Sequence, residues 1–552
     1  MISPLVFDTL FTLLLTIQVI ATLMLSIYAL HEGALLLIYW RKTRRTPPSP
    51  QPNDQYPWPA VTIQLPLYNE RYVAERVIAA ACAQHYPLDR LQIQVLDDST
   101  DVTRTLARDA VRAAQARGIN ISHITRPTRA GYKAGALANG LHSASGDFIA
   151  IFDADFVPAP DFLQKVLPHF GVESRELKVE SSQKSVVSSQ IKSTNQPINQ
   201  STCHPLTLSP PHPVTPSSPK IGFVQTRWAY LNREQDAVTR AQALMLDMHF
   251  VIEQPARSAM GLLMNFNGSG GVWRRECIED AGGWQGDTLT EDLDLSYRAG
   301  IRGWQGRYLA DVAAPSELPA SLLAFKRQQA RWARGTAQCI RKLIPQLLRS
   351  PVSPIRKLAG ALHISGYVIH LFIMMLVLVG PVVALLRNSS LVAHPITLPA
   401  WFGLTNLVGA LPLLLMCVAH QAQGRRWRDL VRTLPTAVMC GIGLSFSDAA
   451  AFLAGWVAPH GGEFVRTPKS GNGDHVSRKQ PLSPSADYVF TSDWTSKAEL
   501  GLAFYSFGAC LWLLWLGDGV AALPSLLYAI GFGGLAFGTG QFAHTPAPAH
   551  QV

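Results

Sequence analysis

Two stretches decide the fold of this chain: residues 91–100, LQIQVLDDST, and residues 147–156, DFIAIFDADF. In each, a run rich in apolar and β-branched residues ends in carboxylates, which is typical of a buried strand followed by a loop. Another strand-like run, VTIQLPL at 61–67, is separated from the first by the helix-like segment YVAERVIAAACAQH at 72–85. Strands that alternate with helices predict an α/β fold with a mixed, mostly parallel sheet and helices on both faces.

Aspartates stand at the ends of two predicted strands: Asp97 and Asp98 after the first, Asp153 and Asp155 after the second. Ligands of such sheets collect at the carboxyl ends of the strands. An Asp-x-Asp pair there can chelate a hard divalent cation whose other ligands are phosphate oxygens. Aspartates that cap helices in solvated loops have the same spacing, so the spacing alone leaves both interpretations open.

Two later segments carry groups suited to a transfer reaction. The tripeptide Thr290-Glu291-Asp292 begins a helix-like run, where an acid either caps the helix or acts as a general base. The basic segment FKRQQARWARG holds Arg331, whose guanidinium suits a pyrophosphate, and Trp332, whose flat face suits a sugar. A basic amphipathic helix on a membrane surface is the alternative for this second segment.

Two glycine-rich segments are weaker signals. The loop FNGSGG, which includes Gly268 and Ser269, lets backbone approach a ligand closely, and Lys133 in GYKAGALANG can reach a phosphate. Neither segment matches the P-loop or the dinucleotide-binding glycine pattern, so the sequence supports neither an NTPase nor a Rossmann cofactor site.

The composition indicates a membrane protein. Hydrophobic residues make up 48% of the 552 residues and charged residues only 16%, which is low for a soluble chain. The net charge of +10 comes from basic residues beside apolar runs, which suits a membrane surface better than nucleic acid. The seven cysteines form no Cys-x-x-Cys pair, so neither a disulfide framework nor a zinc site is expected.

The apolar run within residues 8–40 is followed at once by Arg41 and Lys42, the reverse of the order in a signal peptide. It predicts an uncleaved span whose C-terminal end is cytoplasmic. Four more spans are expected in the C-terminal part. The more polar stretch 430–457 is expected to be an interfacial helix, although its hydropathy alone allows a sixth span. The predicted parts are 1–45 (first span and basic flank), 46–59 (proline-rich linker), 60–348 (α/β domain) and 349–552 (membrane region). The spans expected in the membrane region are 360–386, 400–420, 499–517 and 520–541, with a polar loop at 460–498.

Residues 172–220 are rich in Ser, Pro, Gln and Thr and lack aromatics, so a disordered surface insertion is expected. Deletion of residues 175–217 should therefore leave most of the activity, because no packed core is removed. The activity of membranes that contain the shortened chain checks this. Loss of expression or folding would show instead that the insertion is structural.

The ordered series DDST, DAD, TED and QQARW resembles the D, DxD, TED and QxxRW pattern of the family 2 glycosyltransferases, in particular the processive membrane synthases. LPLYNE, VQTRWAYLN, RAQALMLDMHFVIEQ and LLMNFNGSGGVWRR are similar to the glucomannan (mannan) synthase and cellulose-synthase-like group. The similarity covers about 60–345, and four motifs in the correct order are specific together. Further on, FVRTPK at 464–469 resembles the gating-loop motif of cellulose synthases, with Arg466 in place of a valine.

The resemblance implies a GT-A-like domain inserted between transmembrane helices, a nucleotide-sugar donor and a bound Mg²⁺ or Mn²⁺. It also implies a role for each matching position. Asp97 or Asp98 would contact the nucleoside, and Asp153 and Asp155 would hold the diphosphate through the metal. Asp292 would be the catalytic base. The remaining implied contacts are with the donor for Lys133, Gln328, Arg331, Thr467 and Lys469, and with the acceptor for Gly268, Ser269, Glu291 and Trp332.

One base without a second carboxylate nucleophile suits a single displacement, so the resemblance implies inversion and a β-linked product. The expected enzyme is a processive hexosyltransferase that uses GDP-mannose or UDP-glucose. The alternative is a non-processive enzyme that acts on a lipid acceptor. A more remote alternative is a non-enzymatic transporter or scaffold. Expected partners are the donor, the glycan and membrane lipid, with no nucleic acid; accessory subunits are left open. The catalytic domain is expected on the cytoplasmic side of the inner or plasma membrane, with an even number of spans between it and the 464–469 loop.

Overall fold

The computed structural model describes residues 4–43, 57–171, 220–396, 398–399, 405, 408–458, 461 and 494–540. The predicted insertion at 172–220, except its last residue, lies outside the described residues, as do Thr467 and Lys469. The strands are β1 (Val61–Leu67), β2 (Leu91–Asp97), β3 (Ile121–Thr125), β4 (Phe148–Ile151), β5 (Ile221–Tyr230), β6 (Gly271–Arg274) and β7 (Gln305–Ser316). The helices of the catalytic domain are α2 (Ala74–Cys82), α3 (Thr103–Gln115), α4 (Tyr132–Ser143), α5 (Phe162–Val166), α6 (Ala237–Asp247), α7 (Gln254–Ala259), α8 (Arg275–Asp280) and α9 (Glu291–Ile301).

The seven strands form one sheet in the order β3-β2-β1-β4-β6-β5-β7. The pairs β1–β2, β1–β4, β2–β3 and β5–β7 are parallel, and only β6 runs antiparallel to its neighbours β4 and β5. The predicted mixed, mostly parallel sheet is therefore confirmed. Helices cover both faces of the central strands: β4 is a continuous apolar run, and the Gln64 and Gln94 side chains that interrupt β1 and β2 are buried and joined by a 3.0 Å hydrogen bond.

Two apolar layers flank the sheet. On one face, Val77 of α2 and Val111 of α3 are buried against the strands. On the other face, Leu137 of α4 and Leu295 of α9 are buried with Trp273 of β6. This double covering leaves the strand ends as the place where polar side chains can meet a ligand.

The register aligns the strand ends that the sequence singled out. Leu67, the last residue of β1, pairs with Asp97 of β2, which in turn pairs with Thr125 of β3. Strand β4 ends at Ile151, so Asp153 and Asp155 leave the sheet at the same edge. The Asp-x-Asp pair and the aspartates after β2 therefore share one edge of the sheet.

The remaining helices connect the sheet to an apolar bundle. They are α1 (Pro4–Ile38), α10 (Leu322–Arg349), α11 (Pro354–Ile364), α12 (Ile369–Arg387), α13 (Leu411–Ala422), α14 (Trp427–Val457), α15 (Trp494–Trp515) and α16 (Gly519–Gly540). In the described part of the chain, five helical segments are long and apolar enough to cross a membrane: Leu5–Thr43, Gly366–Arg387, Trp427–Val457, Trp494–Trp515 and Gly519–Thr539. These five segments fit an integral membrane protein.

The segments differ in one place from the predicted spans. Around the predicted span at 400–420 the described helix, Leu411–Ala422, has only 12 residues, whereas the predicted interfacial stretch lies in the 31-residue helix Trp427–Val457. At about 1.5 Å per residue, 31 residues are long enough to cross a bilayer and 12 are not. The predicted interfacial helix thus has the length and hydropathy of a span, and two such segments still separate the catalytic domain from position 464.

Candidate functional site

Lys133, at the first turn of α4, is the centre of a partly buried charged cluster. Its Nζ lies 2.5 Å from Asp153 Oδ1 and 3.7 Å from Glu291 Oε1, and it donates a hydrogen bond of 2.9 Å to the carbonyl of Gly268. Burial opposes the charge of Lys133, but Asp153 and Glu291 outweigh that effect and raise its pKa. Lys133 therefore stays protonated and joins three segments that are far apart in the sequence.

Asp292 lies beside this lysine at the start of α9. One carboxylate oxygen, Oδ1, accepts a hydrogen bond of 2.9 Å from the amide of Leu293. Burial and the neighbouring charge of Glu291 raise the pKa of Asp292 to about 7, although the charge of Lys133 acts in the opposite direction. A carboxylate whose pKa is close to the working pH is suited to accept a proton in a reaction.

The loop from Asn265 to Gly270 holds these groups together. The Oγ of Ser269 accepts a hydrogen bond of 2.9 Å from the amide of Asp153. Gly268 has φ of 79°, and a Cβ at this position would lie 3.1 Å from Asp292 Oδ2. Glycine is required here because any side chain would be strained and would press on the carboxylate.

Arg331 approaches the same cluster from helix α10. Burial lowers the pKa of its guanidinium, while the negative charges of Glu291, Asp292 and Asp153 act in the opposite direction. Two positively charged side chains, Lys133 and Arg331, therefore share one site with three carboxylates. The arrangement can bind a phosphate group and still offer a base.

Gln328 and Trp332 occupy the same helix as Arg331. Gln328 lies three residues before Arg331 and so shares its face of α10, whereas Trp332 directly follows Arg331; both Gln328 and Trp332 are half-buried. Helix geometry thus places Gln328, but not Trp332, on the side of α10 that carries Arg331. Their contacts with donor and acceptor stay predictions.

The aspartates after β2 have separate surroundings. Asp97 is buried; its Oδ2 lies 2.8 Å from His123 Nε2, and Oδ1 accepts from the amide of Ser99. Burial opposes its ionisation, but these hydrogen bonds hold the pKa of Asp97 below its usual range. Asp98 is held by both ends of the Arg126 guanidinium, at 3.0 and 2.5 Å. Asp98 is the more accessible of the two, although neither side chain touches Lys133.

Several residues of this site were not predicted from the sequence. Arg126 and His123, which hold the two aspartates, lie on or after an ordinary amphipathic strand. Arg76 of α2 forms a 2.7 Å ion pair with the buried Glu317, whose amide lies 3.3 Å from Asp155 Oδ2. For Arg126 and Glu317, which directly follow β3 and β7, the position at a strand end was the available signal, because the carboxyl ends of parallel strands converge.

The Asp-x-Asp pair fits a hard divalent cation. Asp153 and Asp155 offer carboxylate oxygens, which Mg²⁺ and Mn²⁺ prefer. Burial and the charges of Asp155 and Glu291 raise the pKa of Asp153, although the charge of Lys133 acts in the opposite direction. A cation here would therefore relieve unfavourable negative charge. Over the described residues, no group of three or more His, Cys, Asp or Glu is arranged to hold a metal. The remaining ligands would therefore come from other oxygens, such as the phosphates of a donor.

Comparison with known proteins gives consistent matches. Residues 59–335 match the model of the family described as "Glycosyltransferase like family 2". The chain is 31% identical over 493 residues to the probable glucomannan 4-beta-mannosyltransferase 3 of Oryza sativa subsp. japonica. The aligned region covers 86% of this chain and 78% of that protein. It is 30% identical over 513 residues to glucomannan 4-beta-mannosyltransferase 1 of the same plant. That alignment covers 90% of this chain and 87% of the plant protein.

Among solved structures, a mannosyltransferase from Pyrobaculum calidifontis in complex with GDP-Man and Mn²⁺ is similar over 79% of this chain and 99% of its own. The sequence identity is 22% and the TM-score is 0.46.

Proposed function

Because the chain belongs to the family 2 glycosyltransferases, and within them to the group of the glucomannan 4-beta-mannosyltransferases, we propose that it transfers mannose from GDP-mannose to a growing β-linked glycan. The names of the plant relatives favour mannose over glucose. The observation that carries the proposal is the convergence of Asp153, Lys133, Asp292 and Arg331, from four separate segments, on one site. The enzyme is a hexosyltransferase; donor, metal and processivity are the proposed parts.

In the proposed reaction, a hydroxyl of the acceptor attacks the anomeric carbon of the donor sugar. Asp292 accepts the proton of that hydroxyl as the new carbon–oxygen bond forms. The bond between the anomeric carbon and the phosphate oxygen breaks on the opposite side, so the configuration inverts from α to β. The nucleoside diphosphate leaves with the bonding electron pair.

Lys133 and Arg331 contribute positive charge where the leaving group gains negative charge. Asp153 and Asp155 would hold Mg²⁺ or Mn²⁺, which supplies further charge stabilisation to the diphosphate when bound. Asp98 lies at the strand end next to this site and is the better placed of the two neighbouring aspartates to contact the nucleoside. Trp332 would present its ring to the acceptor, and Thr467 and Lys469 would cover the nucleotide.

We place the catalytic domain on the cytoplasmic side, where nucleotide sugars are made. Basic residues mark the ends of the candidate spans on the side of the domain: Arg41 and Lys42 in the last turn of the first, and Arg356 and Lys357 before the second. An excess of arginine and lysine marks cytoplasmic flanks. Among the described residues, two candidate spans lie between the catalytic domain and the 464–469 segment, which would return that segment to the same side.

Membranes containing the protein, incubated with labelled GDP-mannose or UDP-glucose, test the proposal. We expect label from GDP-mannose in a β-linked product and loss of that label with EDTA. A ladder of long products would support processive synthesis, whereas single addition to lipid would support the non-processive alternative. Incorporation from UDP-glucose alone would refute the proposed donor, and incorporation from neither would refute the proposed reaction.

The rate should depend on pH through Asp292. A base must be deprotonated to act, and because the pKa of Asp292 is raised to about 7, a growing fraction is protonated and inactive below that pH. We expect kcat/KM to fall about tenfold per pH unit below this pKa and to level off above it. A profile measured between about pH 5.5 and 8 checks this; a flat profile would contradict the assignment.

A further inference from the structure

Glu253 lies outside the charged cluster, in the π-helical turn Met248–Glu253 just before α7, yet it is the centre of a second buried polar network. Its carboxylate accepts three hydrogen bonds: 2.6 Å from His249 Nδ1, 2.8 Å from Arg257 Nε and 2.7 Å from His363 Nδ1. The exposed fractions of these side chains are 13% for Glu253, 22% for His249, 10% for His363 and 0% for Arg257. We call these four residues the Glu253 network.

The network is charged at its centre. Burial disfavours the ionised carboxylate, but His363, His249 and Arg257 outweigh it and hold the pKa of Glu253 well below its usual range. The Arg257 guanidinium is fully buried, and loss of the carboxylate would leave its charge unpaired. The position of Glu253 is therefore strongly constrained.

One side of the network contacts the membrane region. Arg257 Nη2 lies 3.0 Å from Nε2 of His31 on α1, the first candidate span. The same guanidinium donates to the carbonyl of Ala359 on α11 at 3.3 Å, and His363 lies at the end of that helix. The network thus joins the first span to the helix that leads into the second.

The other side reaches the loop next to Asp292. Because His249 Nδ1 donates to Glu253, its Nε2 is left to accept, and it lies 3.0 Å from Nδ2 of Asn267. Gln254 Nε2 donates to Asn267 Oδ1 at 2.9 Å, so the Asn267 amide is held at both ends. The next residue is Gly268, whose carbonyl accepts from Lys133.

We propose that Glu253 is a positioning residue for the transfer reaction: through His249 and Asn267 it sets the position of Gly268 against Asp292 and Lys133. Glu253 itself touches neither reacting group. This inference rests on the proposed role of Asp292 as the base. It assigns to the network a catalytic effect that comes from the geometry of the loop, separate from its contribution to stability.

Kinetics of the full-length protein in detergent, with donor and acceptor varied separately, test the proposal. Glu253→Gln should lower kcat by about 10- to 100-fold, because a small displacement of a reacting group is costly, and should leave the donor KM within about twofold. Asn267→Ala should cause a similar fall. If Glu253 acts through Asn267, the double variant should be little worse than either single variant.

His31→Leu is the matched control, because it removes a partner of Arg257 but leaves the path from Glu253 to Asn267 intact. We expect its kcat within about twofold of wild type. Equal falls in kcat for His31→Leu and Glu253→Gln, or additive effects of Glu253→Gln and Asn267→Ala, would overturn the proposal, as would wild-type kcat in Glu253→Gln.

If Glu253→Gln does not fold, a pair of variants at His249 takes its place. Glutamine can donate to Glu253 and accept from Asn267, whereas leucine can do neither. We expect the kcat of His249→Gln to be higher than that of His249→Leu when thermal unfolding shows that both variants are folded at the assay temperature. Equal kcat values would overturn the proposal. An active Asp292→Asn would refute the proposed base, whereas an inactive Asp292→Asn beside a fully active Glu253→Gln would refute only this inference.

Discussion

Replacing Asp292 with asparagine is expected to lower the rate of hexosyl transfer by about 10²- to 10⁴-fold, the usual contribution of a general base. Asparagine has the same shape and can still accept the hydrogen bond from the amide of Leu293. It cannot accept the proton of the acceptor hydroxyl. The Asp153–Lys133 pair is unchanged, so we expect binding of the nucleotide to stay within about threefold of wild type.

Transfer of labelled sugar gives the rate for this variant, and titration with the nucleoside diphosphate gives its affinity. Asp280→Asn is a suitable control, because Asp280 ends α8 and its ion pair with Arg302 is largely exposed. We expect the control to transfer at the wild-type rate. Wild-type transfer by Asp292→Asn would show that another group accepts the proton.

Replacing Arg331 with alanine should have the second largest effect, a fall in kcat of about 10²- to 10³-fold. The guanidinium is buried beside Glu291, Asp292 and Asp153 and supplies positive charge to the departing diphosphate in the proposed reaction. Without it, Lys133 alone would oppose three carboxylates. Arg331→Lys should recover part of the rate, since lysine keeps the charge but loses the two-pronged geometry.

The rates of both variants and the affinity of each for the donor check this role. Arg349→Ala is the control, because Arg349 ends the same helix and is exposed. A loss in affinity for the acceptor with an unchanged kcat would move Arg331 from the leaving group to the acceptor site. An Arg331→Lys variant as slow as Arg331→Ala would show that charge alone contributes little.

The sequence was sufficient for the fold and the family because both depend on local patterns. Apolar runs that end in Asp97 and Asp153 predicted parallel strands with ligands at one edge, and the sheet register confirms the shared edge. The four ordered motifs predicted a family 2 glycosyltransferase, which the match over residues 59–335 confirms. The roles of the individual residues stay predictions, since they concern bound substrates.

The sequence was less informative about the membrane region. The stretch 430–457 contains Asp448 and several Ser and Gly residues, and its second half looks amphipathic, so the sequence favours an interfacial helix although its hydropathy alone allows a span. In the structure Asp448 is buried within the helix Trp427–Val457, 3.5 Å from His370 of α12. A polar side chain that is paired inside a bundle lowers the hydropathy of a helix without exposing the charge to lipid.

The amino-acid sequence by itself determined the order of strands and helices, the polar ends of the strands and the membership of the family, because hydrophobic periodicity and motif spacing are properties of neighbouring residues. Only the tertiary structure decided which charges meet. Lys133 contacts Asp153, Glu291 and Gly268 across separations of 20 to 158 residues, and Glu253 contacts His363 across 110 residues. Such contacts depend on the crossing of distant segments, which no local pattern encodes.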